Sequence, residues 1–349
     1  MSAPNRVGGL GGADLVVAVD GGGSKTDAVA LTITGELVAH ERGAGSSPHF
    51  EGLGQAVAVV DELVRAVAGR GRVGHAGLYI SGLDLPVEVD QYAAAIAAFD
   101  WASSTTVVAN DLYALLRAGT DEPDAVAIVC GTGVNAVGVR ADGADVRFPS
   151  LGGLSGDWGG GSGLGEQALW HAARDVDGRG PRTALSAAIV EQYGVASVSV
   201  LIEELHLGRR DASELAALAP AVFASARAGD AVAIGLVDRQ AEELVAFARA
   251  CVTRLGLAEQ AVPIVLGGGI IRSGDERLIG GIVAGLERVA PRARIEILET
   301  APIVGAALLA LSRAGATGEA LERARAEVTL ATGGVAPSEA AREPAPARS

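Results

Sequence analysis

Eight consecutive residues, Asp20-Gly21-Gly22-Gly23-Ser24-Lys25-Thr26-Asp27, bring together the kinds of group that hold a phosphate. Glycines after a buried apolar run let backbone N–H groups approach an anion without obstruction by a Cβ. Ser24 and Thr26 add hydroxyls, and Lys25 adds a point charge. Asp20, at the end of the apolar run, suits a hydrated Mg²⁺, which takes one or two carboxylates together with substrate phosphates. Gly22, Gly23, Ser24, Lys25 and Thr26 are therefore candidate phosphate contacts, and Asp20 is a candidate metal ligand. Lys25 is the sole lysine, all other basic residues being arginine. The plainer alternative is a tight hairpin carrying a solvated lysine. The segment is not a strand–loop–helix phosphate loop, because another strand pattern follows it.

Four further segments carry chemical potential. Cys130-Gly131-Thr132-Gly133-Val134-Asn135 is a second Gly-rich turn between strand patterns, offering backbone donors to a second phosphate or serving as an ordinary turn. Gly267-Gly268-Gly269 follows an apolar run and precedes Arg272, which suits a flat base packed on backbone or a plain strand-to-helix turn. Asn110-Asp111 closes a strand and opens a helix. A carboxylate there can act as general base toward a hydroxyl, or the pair can simply cap the helix. Gly156-Asp157-Trp158 lies within a Gly-rich stretch, 151–165, that suits a loop lining a polyol site or a flexible lid with a solvated carboxylate.

These residues need elements to position them. Residues 15–19 read as a buried strand, 28–34 and 36–40 as two more, with Thr34-Gly35 as a hairpin turn. A helix is expected over 53–68, where apolar positions recur with a 3.6-residue period. A strand follows at 77–80, a helix at 87–99, a strand at 106–109 and a helix at 112–118. The pattern then restarts: strands at 125–130 and 135–139, a helix at 166–174, and mostly helix over 183–257. Strands at 263–266 and 295–298 flank a helix at 275–289, and an apolar helix spans 303–312. Each half opens with strand, Gly-rich turn, strand. The expectation is an α/β protein of two similar lobes. Its divisions are a disordered 1–13, a first lobe at 14–118, a second with a helical insertion at 119–302, a helix at 303–315 packing back on the first lobe, and a short helix with a disordered tail at 316–349.

In order and type, the Asp20–Asp27 segment, Asn110-Asp111, Gly131 to Asn135, Gly156-Asp157 and Gly267 to Gly269 resemble the sugar-kinase, actin and heat-shock-chaperone ATPase superfamily. More narrowly, the chain resembles the BadF/BadG/BcrA/BcrD-type ATPase family, in its N-acetylglucosamine kinase-like branch, over about residues 14–315. The resemblance implies two ribonuclease-H-like lobes with a cleft for ATP and Mg²⁺ between them, and a homodimer. It implies Asp111 as the catalytic aspartate. It implies Gly131, Thr132 and Gly133 as the second phosphate loop, and Gly267, Gly268, Gly269 and Arg272 as further nucleotide contacts. Asn135 and Asp157 match sugar-contacting positions, with Asn110, Gly152, Ser47 and His49 as further sugar-side candidates. The chain departs from the family pattern at Val134, at Trp158-Gly159 and at Ser46-Ser47-Pro48-His49, where a sugar-contacting Asn is replaced.

Composition bounds these readings. Formal net charge is −14 and pI about 4.8, which disfavours nucleic acid or an anionic membrane as partner. Hydrophobic residues are 49% and aromatics 3%, so the core is built from aliphatic side chains. No apolar run approaches the ~18 residues of a membrane span, residues 1–10 lack the apolar core of an export signal, and a cytoplasmic protein is expected. Two cysteines, Cys130 and Cys251, make neither a disulfide framework nor a metal site. The expected activity is ATP-dependent phosphorylation of an amino sugar such as N-acetylglucosamine or glucosamine. The rivals are a non-catalytic sugar or nucleotide sensor of the same fold and, less favoured, a dehydratase-activating ATPase. The latter needs cysteines at an iron–sulfur cluster, and neither cysteine sits in such a setting.

Overall fold

The computed structural model describes residues 14–333. The stretch 1–13 expected to be disordered, and residues 334–349 of the expected disordered tail, lie outside the described residues. In chain order the first elements are β1 (Asp14–Gly21), β2 (Thr26–Leu31), β3 (Leu37–Gly43), α1 (Pro48–Glu51), α2 (Leu53–Ala68), β4 (Arg72–Ile80), α3 (Pro86–Ile96), β5 (Val107–Asn110) and α4 (Leu112–Gly119). Next come β6 (Ala125–Cys130), β7 (Val134–Val139), β8 (Asp145–Arg147), α5 (Gly160–Val176), α6 (Leu185–Tyr193), α7 (Val198–His206), α8 (Ala219–Arg227) and α9 (Ala231–Leu255). The chain closes with β9 (Pro263–Gly267), α10 (Gly269–Arg272), α11 (Glu276–Val289), β10 (Arg294–Ile297), α12 (Pro302–Arg313) and α13 (Glu319–Ala331). Of the described residues, 14–119 and 299–333 form one compact unit and 120–298 another.

In the first unit the sheet order is β3-β2-β1-β4-β5. β1, β2 and β3 form an antiparallel meander, and β4 and β5 continue parallel to β1. β2 is buried along its whole length, which explains the apolar run at its residues 28–31: both faces of the sheet are covered. Val17, Val19, Ala28, Ala30 and Leu78 face α2, which supplies Val57, Val60 and Val64. Their pleat-alternate neighbours Val16, Ala18, Val29 and Tyr79 face α12, through Ile303, Val304 and Leu311. Each fully buried Val, Leu or Ile among them contributes roughly 1.5–3 kcal/mol by burial, and each alanine less. A nearly aromatic-free core lets backbones come close: a Cβ on Gly305 of α12 would lie 1.9 Å from the Ala114 carbonyl oxygen of α4. α13 adds Ala324 and Val328 to this core, and Glu327 accepts the Leu37 N–H of β3 at 2.7 Å.

The second unit repeats the plan, with order β10-β9-β6-β7-β8. β6 pairs antiparallel with β7 and β7 with β8, while β9 and β10 lie parallel to β6. Around it the helices α5 to α9 and α11 enclose the larger core.

Several expectations shift at their edges. The expected strand 28–34 stops at Leu31, because Thr32 and Glu36 close the hairpin, Thr32 N–H donating to the Glu36 carbonyl at 2.9 Å. β8 went unread because it is three residues long with only Val146 buried. The region 183–257 divides into four α-helices and a 3₁₀ segment, Ala212–Leu218. α5 begins at Gly160 and not at 166, since tertiary packing overrides the poor helix propensity of its glycines. Asp275, read as the first residue of a helix, is its N-cap and accepts the Leu278 N–H. Among the described residues, no single helix is long and apolar enough to cross a membrane.

Candidate active site

In the first unit, candidate residues gather at the carboxyl ends of β1, β4 and β5, where open α/β sheets bind ligands. Strand register sets this up. Asp20 lies opposite Asp27 on β2 and Tyr79 on β4, and Ile80 lies opposite Asn110, the last residue of β5. Asp111 follows directly, ahead of α4. Burial pushes the Asp20 carboxyl well above the usual range, and the charges of Asp111 and Asp27 push it further against a smaller opposing effect of Lys25. Burial and the Asp84 charge raise Asp111 to about 7. For Asp27 burial pulls the same way, but hydrogen bonds from Arg42 and His40 outweigh it and hold that carboxyl below its ordinary value. Arg42 Nε lies 2.8 Å and His40 Nε2 2.9 Å from Asp27 Oδ1. So among the described residues Asp27 is paired with two cationic side chains, whereas Asp20 has only the weaker opposing charge of Lys25 and no cation offsets the charge of Asp111. A pair of carboxylates that repel one another is a donor set that fits a divalent cation.

The first glycine loop is partly turned inward. The Gly22 N–H donates to the Lys25 carbonyl at 2.9 Å, and the Gly22 carbonyl accepts the Ser46 N–H at 3.0 Å. Gly21 and Gly23 are explained by packing: a Cβ would lie 2.3 Å from Ser46 Oγ at the first and 2.9 Å from the Phe50 ring at the second. The Thr26 hydroxyl is buried and donates to Ser46 Oγ at 2.8 Å. Ser24 and Lys25 are exposed at the tip, with Lys25 Nζ 3.6 Å from Asp27. The donors this loop can turn outward are thus those of Gly23, Ser24 and Lys25, while Gly22 and Thr26 shape it.

Two of the sugar-side candidates of this unit, Asn110 and His49, share one network through Asp84 and Glu88. Asn110 is buried and both ends of its amide are committed: Nδ2 donates to Asp84 Oδ1 at 3.0 Å, and Oδ1 accepts the Leu112 N–H at 3.0 Å. His49 Nε2 lies 2.8 Å from Glu88 Oε1, and Glu88 Oε2 accepts the N–H groups of Asp84 and Leu85 at 2.9 and 2.7 Å. Ser47 is buried, and its hydroxyl has no hydrogen-bond partner among the described residues. Sequence reasoning missed Asp84 and Glu88. A signal existed: Asp84 stands just past the end of β4, as Asp111 stands just past the neighbouring parallel strand.

In the second unit three glycine clusters that are far apart in sequence converge on one turn. The Gly131 N–H donates to the Gly133 carbonyl at 2.9 Å. The Gly161 and Ser162 amides of α5 donate to the carbonyls of Gly131 and Thr132 at 2.8 and 2.9 Å. From the other side Gly268, at φ 99°, leaves no room for a Cβ, which would lie 2.2 Å from the Cys130 carbonyl oxygen. Thr132 and Gly133 are exposed at the tip. Gly269 opens α10, and Arg272 ends it, exposed. Asn135 is buried and accepts the Ala136 N–H at 2.7 Å. Asp157 is half-buried, accepts the Ser155 hydroxyl, and donates its own N–H to the Gly152 carbonyl at 3.0 Å. Cys130 and Cys251 are fully buried, and burial pushes both thiols up to about 12.

Two five-stranded sheets of identical order, each with a Gly-rich hairpin between its first two strands, define the class: an α/β protein with the actin-like, ribonuclease-H-like ATPase fold. Within that class the chain belongs to the BadF/BadG/BcrA/BcrD ATPase family, which matches residues 17–310. An N-acetyl-D-glucosamine kinase of Dictyostelium discoideum is 27% identical over 86% of this chain and 98% of its own length. An N-acetylmuramic acid/N-acetylglucosamine kinase of Clostridium acetobutylicum is 24% identical over 74% of this chain and 86% of its own. Among solved structures, a Chromobacterium violaceum protein assigned as an N-acetylglucosamine kinase superposes with a TM-score of 0.68. It is 22% identical, and the match covers 86% of this chain and all of that one.

Proposed function

We propose that the protein is an ATP-dependent kinase of an amino sugar, such as N-acetylglucosamine or glucosamine, transferring the γ-phosphate in line to a sugar hydroxyl. The observation that carries this reading is Asp111: a half-buried carboxylate just past a parallel strand, raised to about 7. A general base works best when its pKa lies near the working pH, so Asp111 is suited to take the proton of the acceptor hydroxyl. Phosphoryl transfer asks little covalent work of the protein beyond this. Positioning and charge stabilisation supply most of the rate.

The other roles follow from what each residue offers. Asp20 would hold Mg²⁺, which when bound supplies charge neutralisation to the phosphates. The tips of the two glycine loops, at Gly23 to Lys25 and at Thr132 and Gly133, would take the phosphates. Gly267 to Gly269 and Arg272 would border the nucleotide base. Asn135, Gly152 and Asp157, with Ser47 and His49, would face the sugar, and Asn110 would hold Asp84 in place. The kinase names of the two curated relatives support the substrate class. A homodimer in the cytoplasm is part of the same reading.

A panel of hexoses, hexosamines and N-acetylhexosamines, screened by coupled ADP release with MgATP, tests the assignment. Sugar-dependent ADP release with an amino sugar preferred is the expected result. Binding of sugar and nucleotide without turnover would establish the sensor reading instead.

A further inference from the structure

Resting on the nucleotide role given above to the Thr132–Gly133 turn, we propose that Gln240 is a positioning residue for that turn, acting through the start of α5. Gln240 lies on α9, far in sequence from the glycines it serves, and its side chain is fully buried. Its Oε1 accepts the Gly160 N–H at 2.7 Å. That donor belongs to the first turn of α5, where a helix leaves its amides without partners of its own. The preceding Gly159 sits at φ 112°, and a Cβ there would lie 2.3–2.7 Å from the Gln240 amide. The glutamine thus fills the space that a side chain at 159 would occupy.

Gly160 passes this restraint to the loop. A Cβ on Gly160 would lie 2.6 Å from Gly133 Cα and 2.7 Å from the Thr132 carbonyl oxygen, so helix start and turn are in backbone contact. The next two amides, of Gly161 and Ser162, hold the Gly131 and Thr132 carbonyls. One residue before Gln240, Arg239 lies over the Trp158 ring at 4.2 Å from its centroid. Two consecutive residues of α9 therefore grip residues 158–160.

The bond has a visible cost. Gln240 Nε2 is buried with no hydrogen-bond partner among the described residues, and a buried unpaired donor is destabilising. Turning the amide over would set two donors against each other and lose the Gly160 bond. An apolar residue of the same length would leave no orphan donor. The acceptor oxygen toward Gly160 is what the glutamine adds.

Gln240→Met keeps the length and removes the acceptor. The expected result is about a tenfold rise in the Kd for MgATP, by calorimetry without sugar. Sugar KM should stay within about twofold in the same variant. Amide exchange, followed in the unliganded protein, should quicken across residues 131–133 and stay unchanged along β9. Unchanged MgATP affinity with unchanged exchange at 131–133 overturns the proposal, as does a raised sugar KM with ATP affinity intact. Gln240→Glu, which keeps an acceptor oxygen, decides the matter if the methionine variant does not fold. MgATP affinity within about threefold of wild type supports the assignment, and a tenfold loss overturns it. If wild type itself binds no MgATP, the nucleotide role fails, while exchange at 131–133 still reads the contribution of Gln240.

Discussion

In the first unit the β1–β2 hairpin sets Asp20 opposite Asp27, and Asp111 stands close enough to raise the carboxyl of Asp20. In the second unit the β6–β7 hairpin occupies the same place in the same strand order but sets Val129 opposite Asn135. One scaffold thus appears twice with different electrostatics. The charged copy keeps Asp20 and Asp111 short of counter-charge, which suits a cation and a proton-accepting base. The second copy is neutral at these positions and is tied at its turn by backbone contacts to α5 and to Gly268. The difference teaches that the fold itself supplies only a hairpin at the end of a central strand. Chemistry is added by which residues stand there.

Removing the base from the charged copy should have the largest effect. Asp111→Asn is expected to lower kcat by about 10²–10⁴-fold, the usual contribution of general-base catalysis, with MgATP affinity retained. Sugar-dependent ADP release measures it. A residual rate above about a tenth of wild type would remove Asp111 from the role.

Glycines separate the two copies next. Gly268 has no space for a Cβ and sits at positive φ, so Gly268→Ala should destabilise the second unit by roughly 1–3 kcal/mol. Gly133 meets nothing within 4 Å where its Cβ would be, so Gly133→Ala should leave the melting temperature within about a degree of wild type. If Gly133 nonetheless faces phosphate, the same alanine should raise KM for ATP. Equal melting losses for the two variants would mean that the turn is not held as described.

The repeated plan was legible because it is written in local signals. α2 spans the residues its periodicity predicts, and β6 does likewise. Buried strands ending in glycines gave both hairpins their position. What stayed hidden depends on contacts between distant residues. Gly131, Gly160 and Gly268 read as three separate loops, since nothing local says that they meet. Nothing local singles out Asp84, which meets Asn110 only because β4 and β5 lie side by side. Gln240 sits in an ordinary amphipathic helix, and only the path of α9 past Gly159 gives it a partner. α5 begins on glycines that local propensity would exclude from a helix, because only they can approach the turn closely enough.

The smallest effect concerns stability and pH, and it asks whether the uncompensated charge of the first unit is real. The Asp111 carboxyl is raised from 3.8 to about 7. Between those values the folded chain keeps a proton that the unfolded chain has released. Folding is therefore penalised progressively as pH rises through that window, and the penalty is complete only above about 7. Asp111→Asn removes the ionisable group. Its melting temperature should exceed that of wild type at pH 8, and the two should coincide near pH 4. Asp111 is half-buried and solvent screens part of the interaction, so the gain should be about 1–2 kcal/mol. At this chain length that is a few degrees. Added MgCl₂ should narrow the gap at pH 8, because a bound divalent cation offsets the repulsion between Asp20 and Asp111. Scanning calorimetry at pH 4 and pH 8, with and without MgCl₂, measures all four combinations. A variant no more stable than wild type at pH 8 would show that the first unit already neutralises its carboxylates, and the electrostatic contrast between the two copies would fall.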